Sequence, residues 1–324
     1  MLINSELPKI KHGWQGNPLD KSGRFVNHEF PFTPRFSDVW KWQTSPKPHK
    51  HEKKADNWRP ESVFEPHFFN RADDCLVWLG HAWFFLRLDG INMLIDPVFF
   101  PIPLVKQLTP APYSAMHFTG IDLILLSHDH RDHADEKSIK AITHLNPGAT
   151  IITGLRMGAL LRKWCRNPIV EMGWYQQYTH SGLRISYLPT RHWSRRLLRD
   201  TNLRLWGAFM LESSRKRIYA GQDSGYGSHY GELQELFDPI DMALLGIGAF
   251  KPEWFMSPAH MGPHDAVKAF NESGAKTLLP MHYGTLDLAD EPAGLPYRIM
   301  RELEQSGYIH GDLLIPPIGQ PLWL

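Results

Sequence analysis

The stretch Asp122-Leu123-Ile124-Leu125-Leu126-Ser127-His128-Asp129-His130-Arg131-Asp132-His133 runs an unbroken apolar segment into a dense polar cluster. A continuous apolar run of this length is the pattern of a strand buried on both faces, as in sheets covered by helices. Polar residues packed at the end of such a strand need a chemical reason. His128 and His130 stand two apart and project the same way if the backbone stays extended, so they can grip one ion together. Asp132 and His133 fall on the following turn, within reach of a second ion beside the first. This mix of imidazole and carboxylate suits a borderline cation such as Zn²⁺.

Before this stretch, residues 75–79, 83–88 and 92–95 read as consecutive strands, with Asp89-Gly90 supplying a hairpin turn. After it, residues 135–145 have helical spacing and stop at Asn146-Pro147-Gly148. A strand at 150–153, a helix at 157–164 and strands at 183–188, 206–211 and 217–220 follow. Helices at 230–237, 265–271 and 297–305 then alternate with strands at 242–245 and 276–279. The order falls into two similar halves, each an antiparallel-looking group followed by strand–helix alternation. An α/β fold of two packed sheets with helices outside satisfies it.

The rest of the composition narrows the function. The chain has 324 residues, 42% of them hydrophobic, which is enough for a large core. With 35 basic against 34 acidic side chains, no global field points to nucleic acid. Eighteen histidines are many for this length, and imidazole is a common metal ligand. Cys75 and Cys165 cannot staple a chain of this size and fit a reducing, cytoplasmic setting. Neither a signal-like N-terminus nor a run of about 20 apolar residues is present, so the expectation is a protein that is soluble or rests on a surface. Residues 1–72, rich in Pro, His, Lys and aromatics (Trp14, Phe25, Phe30, Phe32, Phe36, Trp40, Trp42), read as an arm packing on a main domain at 73–324. Within the arm, residues 46–54 read as a solvated loop whose Lys, His and Pro residues could also touch anionic lipid heads.

Two ions on four ligands would be under-coordinated, and the chain offers three further candidates. His192, Asp223 and His282 each follow a predicted strand, at 185–190, 217–220 and 277–281. A lone His or Asp in such a place is usually a cap, whereas three of them point to ligands.

The succession His-x-His-x-Asp-His, later His, later Asp, last His resembles the pattern of the metallo-β-lactamase superfamily. Within it, the chain is most similar to the branch of N-acylphosphatidylethanolamine-hydrolysing phospholipase D. That likeness rests on Gly23-Arg24-Phe25-Val26-Asn27, Trp78-Leu79-Gly80-His81-Ala82, Ile95-Asp96-Pro97, Arg191-His192-Trp193-Ser194-Arg195-Arg196, residues 246–256 and Met281-His282-Tyr283-Gly284-Thr285. It covers nearly the whole chain from about residue 23. The resemblance implies a four-layer αβ/βα sandwich with a dinuclear metal site, a phospholipid substrate, contact with membrane lipid and a homodimer. It assigns His128, His130 and His192 to one ion, Asp132, His133 and His282 to the other, and Asp223 to both. The ions are expected to be zinc, with manganese or iron compatible with the same ligands. Two departures stand out: Gln222 occupies the place before Asp223 where the family usually has Gly, and the acidic residues after His260 differ.

The chemistry implied is hydrolysis of a phosphodiester. Two adjacent cations lower the pKa of a shared water toward about 7, and the protein positions the substrate and stabilises charge. On this reading Asp132, Asp223 and His260 are the catalytic candidates. His260 either protonates the leaving group, binds phosphate or is structural. Asp96 either holds an imidazole N–H or is a turn residue before Pro97. Arg195 and Arg196 either bind phosphate or belong to a solvated basic loop. Trp254, with Trp193 and Phe255, either lines an acyl-chain groove or belongs to the core. Rival functions are a lactonase, thioesterase or cyclic-nucleotide phosphodiesterase on the same fold, and a metal-bearing binding protein without turnover. Class B β-lactam hydrolysis is disfavoured because Asp223 stands where a Cys is expected. A flavodiiron role is disfavoured because His130 stands where a carboxylate is needed.

Overall fold

The structure, a computed structural model, describes residues 1–33 and 35–324, and the side chain of Phe36 lies outside that description. Two seven-stranded sheets share one apolar core. Across the first, the order is Pro321–Trp323, Cys75–Gly80, Trp83–Leu88, Ile91–Ile95, Leu123–Leu126, Thr150–Gly154 and Ile169–Met172. The members up to Ile91–Ile95 pair antiparallel and those beyond it parallel. Across the second, the order is Asp312–Leu313, Ala275–Met281, Ile240–Gly246, Arg217–Ala220, Ala208–Glu212, Leu183–Leu188 and Gln176–His180. Here the first four are parallel and the rest antiparallel. Each half is therefore a meander that turns into helix-connected parallel strands, the order expected from the sequence.

The strand Leu123–Leu126 shows why an apolar run without alternation was needed. Leu123 and Leu125 enter the core between the sheets, while Ile124 and Leu126 pack with Ile139 and Ile142 of the helix Glu136–Leu145 on the outer face. That helix begins on Asp135, whose carboxylate accepts the Ser138 N–H at 2.8 Å. On the far side, the helix Pro263–Ser273 buries Ala266 and Phe270 against the second sheet. Helix, sheet, sheet and helix make the αβ/βα sandwich.

Several segments differ from expectation. Residues 46–54 are not all loop: Lys50–Ala55 forms a helix with no buried residue. Lys, Glu and Ala are good helix formers, and their propensity outweighs the proline-rich surroundings. The helix expected at 157–164 is only Gly158–Leu161. The strands Ile169–Met172 and Gln176–His180 are not among the expected ones: both are short edge strands with mostly half-exposed side chains, and Gln176–His180 is largely polar.

The first 72 residues are laced into this body. Phe25 is buried in the main core, and Trp42 stacks on Phe255 with ring centroids 5.0 Å apart. Phe30 and Trp40 are exposed. Asn27 clamps one backbone position: its Oδ1 accepts the His192 N–H at 3.1 Å and its Nδ2 donates to the His192 carbonyl at 2.9 Å. Among the described residues, no helix is long and apolar enough to cross a membrane.

Two stability effects follow. Leu125→Ala should cost about 2–5 kcal/mol by leaving a cavity between the sheets. Asn27→Ala should cost about 1–3 kcal/mol by leaving the buried His192 backbone groups unsatisfied. Denaturant midpoints measure both, and a change within error for either variant would contradict the packing described.

Candidate metal centre

The chain delivers its ligand candidates at one rim, just past the ends of Leu123–Leu126, Leu183–Leu188, Arg217–Ala220 and Ala275–Met281. Several of the turns that do so are strained. His81, Asp96, Gln222 and His282 all have left-handed backbone, with φ of 48°, 44°, 49° and 62°. Non-glycine residues in that region cost of order 1–3 kcal/mol each and gather at functional sites. Gly248 is required here, because a Cβ would lie 2.1 Å from the His282 carbonyl oxygen.

All seven residues expected to bind metal converge. Ligand atoms of His128, His130, His192 and Asp223 lie within 4.8 Å of one another, as do those of His81, Asp132, His133 and His282. In the first group His130 Nδ1 stands 2.9 Å from His128 Nε2 and 3.2 Å from His192 Nε2. The Asp223 carboxylate lies between the groups. Its Oδ1 is 3.1 Å from His282 Nε2, and its Oδ2 is 3.2 Å from His133 Nε2, 3.6 Å from His192 Nε2 and 3.9 Å from His128 Nε2.

The outer nitrogens fix which way each imidazole faces. His133 Nδ1 meets Asp96 Oδ2 at 2.8 Å and His192 Nδ1 meets the Ala259 carbonyl at 2.9 Å. Both partners only accept, so each Nδ1 carries a proton and each Nε2 faces inward, where it can serve as a ligand atom. The Ser127 hydroxyl donates to Asp96 Oδ2 at 2.5 Å and lies 2.8 Å from His128 Nδ1, which gives His128 the same polarity. Asp96 also accepts the Ser127 N–H at 2.7 Å, so it is far from a simple turn residue.

These side chains fit a cation. Buried His133 Nε2, His282 Nε2 and Asp223 Oδ1 have no hydrogen-bond partner, and all face the same space. Leaving such atoms unpaired costs about 1–3 kcal/mol each, and a metal ion takes up those lone pairs. Charge follows the same geometry. Burial disfavours an ionised Asp223, but His133, His282 and His260 outweigh it and hold its pKa well below the usual carboxylate range. Burial likewise opposes charge on His133, yet Asp223, Asp132 and Asp96 raise its pKa well above normal. His128 and His192 are pushed down, chiefly by burial.

The remaining candidates occupy distinct places. His260 lies at the open side, with its Nδ1 4.0 Å from Asp223 Oδ2, and burial pushes its pKa down to about 4. Arg195 lies over the Trp193 ring at 5.2 Å, and that ring packs 4.5 Å from His130. Arg196 is committed to the ligand loop itself, its Nη1 donating to the carbonyls of Asp129 at 3.0 Å and Ala134 at 2.6 Å. Trp254 is exposed on the helix Glu253–Met256, with Lys41 4.5 Å from its ring.

His81 was not read as a site residue. Its Nε2 stands 3.1 Å from Asp132 Oδ2, its ring lies 3.9 Å from that of His282, and its carbonyl accepts the His282 N–H at 2.9 Å. The available signal was a histidine in the tight turn between two apolar strands. Gln222 does not crowd the site: its Nε2 donates to Asp96 Oδ2 and to the Ala82 carbonyl. It thereby ties the second sheet to the first beneath Asp223.

Comparison with known proteins identifies the family. The family model described as a β-lactamase superfamily domain matches residues 91–283. An uncharacterised protein of Mycobacterium tuberculosis is 33% identical over 254 residues, covering 75% of this chain and 67% of its own. The N-acyl-phosphatidylethanolamine-hydrolyzing phospholipase D 1 of Caenorhabditis elegans is 31% identical over 229 residues, covering 64% of this chain and 63% of its own. Among solved structures, the metallo hydrolase Igni18 of Ignicoccus hospitalis superposes with a TM-score of 0.61 at 19% identity, covering 78% of this chain and 98% of its own. The chain belongs to the β-lactamase superfamily, as a metal-dependent hydrolase of the metallo-β-lactamase fold that resembles N-acyl-phosphatidylethanolamine-hydrolysing phospholipase D.

Proposed function

We propose that the chain hydrolyses a phosphodiester, of phospholipase D type, in N-acyl phosphatidylethanolamine-like lipids. The observation that carries this reading is the position of the Asp223 carboxylate between two clusters of ligand atoms. We assign His128, His130 and His192 to one zinc ion, Asp132, His133 and His282 to a second, and Asp223 to both. The similarity to a phospholipase D of this type supports the choice of substrate. We further infer a cytoplasmic protein that meets its lipid at the membrane surface.

Bound there, a pair of divalent ions supplies Lewis acidity toward the phosphoryl oxygens and a water acidified toward neutral pH. The chain's own groups do the rest. Asp96 holds His133 in one tautomer, and Ser127 holds Asp96 and His128 in register. Asp132, held by His81, keeps an oxygen at the partly open edge of the site. His260 faces that edge and offers a ring nitrogen to a phosphoryl or leaving-group oxygen. Trp193, with Arg195 over its ring, walls the side next to His130.

The deciding experiment presents the metal-loaded protein with phosphodiesters, N-acyl phospholipids, lactones and thioesters, beside Asp223→Ala and His282→Ala. We expect N-acyl phospholipid turnover in the parent and loss of both metal and turnover in the variants. Turnover of a lactone with phospholipids inert would sink the phospholipase reading, and variants that lost metal but kept activity would sink the dinuclear one. Asp96→Asn should weaken metal affinity about 10–100-fold, as measured by competition with a chelating dye. His260→Ala should lower kcat about 10²–10⁴-fold with metal content unchanged, and His260→Asn should recover part of the loss. Unchanged kcat in His260→Ala would remove His260 from the reaction.

A further inference from the structure

A cavity of about 590 Å³ lies beside the metal centre and touches it at His282. One wall is the helix Lys50–Ala55 with the residues around it, and the other is the segment that follows His282. Six cationic side chains line it, Lys47, Lys50, Lys53, Lys54, Arg59 and Lys106, against four carboxylates, Asp56, Asp287, Asp290 and Glu291.

Every one of those carboxylates is already matched. Lys47 Nζ is 2.9 Å from Asp290 Oδ2, Lys53 pairs with Asp287, and Arg298 Nη2 is 3.0 Å from Asp56 Oδ2. Glu291 accepts the backbone N–H groups of Ala249, Phe250 and Lys251. The remaining cations are not matched by carboxylates in turn. Arg59 Nη1 donates to the carbonyls of Trp58 at 2.6 Å and Asp56 at 3.3 Å, whereas among the described residues Lys50, Lys54 and Lys106 have no carboxylate within 4.0 Å. In a chain with 35 basic and 34 acidic side chains, three unmatched lysines around one concavity mark a local excess.

The excess is also held in place. Lys53 reaches across to Asp287 and the Ala289 carbonyl, and Lys47 to Asp290, so the short helix is pinned to the opposite wall. Lys50 and Lys54 stand one helical turn apart and share a face. Lysine ammonium groups are compact point charges that suit a multiply charged oxyanion.

We propose that this cavity is a second anion site, which binds a phosphate group beside the metal centre rather than on it. The source is either a phospholipid headgroup or free phosphate. The site stands whatever reaction the metal centre performs, so an inert phospholipid substrate would leave it untouched.

The test compares metal-loaded protein with Lys50→Glu/Lys54→Glu and with Asp223→Ala. Two probes are used: inorganic phosphate by calorimetry, and phosphatidylcholine vesicles with and without phosphatidate by co-sedimentation. We expect the double variant to keep its metal content and thermal midpoint and to bind at least one probe about ten-fold more weakly or worse. That binding should also weaken with added salt, which screens beyond about 10 Å at 0.1 M. Loss confined to phosphate assigns the site to the free ion, and loss confined to phosphatidate vesicles assigns it to a headgroup. Asp223→Ala should retain the lysine-dependent binding. The proposal fails if the double variant binds both probes like the parent, or if Asp223→Ala abolishes all binding of both.

Discussion

A carboxylate removed from water is tolerated only where positive charge or hydrogen bonds replace the solvent. Asp223 meets that condition through imidazoles arriving from both sheets, His133 and His128 from the first, His192 and His282 from the second. The two halves of the sandwich must therefore bring their strand ends to one rim. Displacing either sheet would strand a buried charge, so the core and the site constrain each other.

Much of the support comes from the protein's own contacts. Arg204 Nη1 holds Asp129 Oδ2 at 2.5 Å, and Arg196 holds the carbonyls at both ends of the ligand loop. Ser127, Asp96 and Gln222 form a buried chain from one sheet to the other. The left-handed turns at His81, Asp96, Gln222 and His282 persist because this surrounding network over-determines them. In small zinc domains metal binding and folding are a single event. Here the ligand shell is arranged by a core of ordinary domain size.

The legible parts of the sequence were those with strong local physics. Leu123–Leu126 announced itself because both faces are buried, and the seven proposed ligands because they sit just past apolar strands. Three things were illegible for physical reasons. Edge strands such as Gln176–His180 pair through the backbone and need no apolar pattern. His81 acts through tertiary contacts with Asp132 and His282, which lie 51 and 201 positions away in the chain. The fate of Arg196 depended on whether loop carbonyls or solvent lay within its reach, which no spacing reveals.

The clamp of Asn27 on His192 bears on modularity. The segment that matches the superfamily, residues 91–283, contains all the proposed ligands. It contains neither Asn27, which fixes the backbone of one of them, nor His81, which steadies two others. The strands Cys75–Gly80 and Trp83–Leu88 that carry His81 between them also lie outside it. The stretch that the family model matches is thus smaller than the unit that holds the site, and the similarity to the mycobacterial relative, which covers 75% of the chain, extends beyond it. Grafting or shuffling at the family boundary would transfer the ligands without their scaffold.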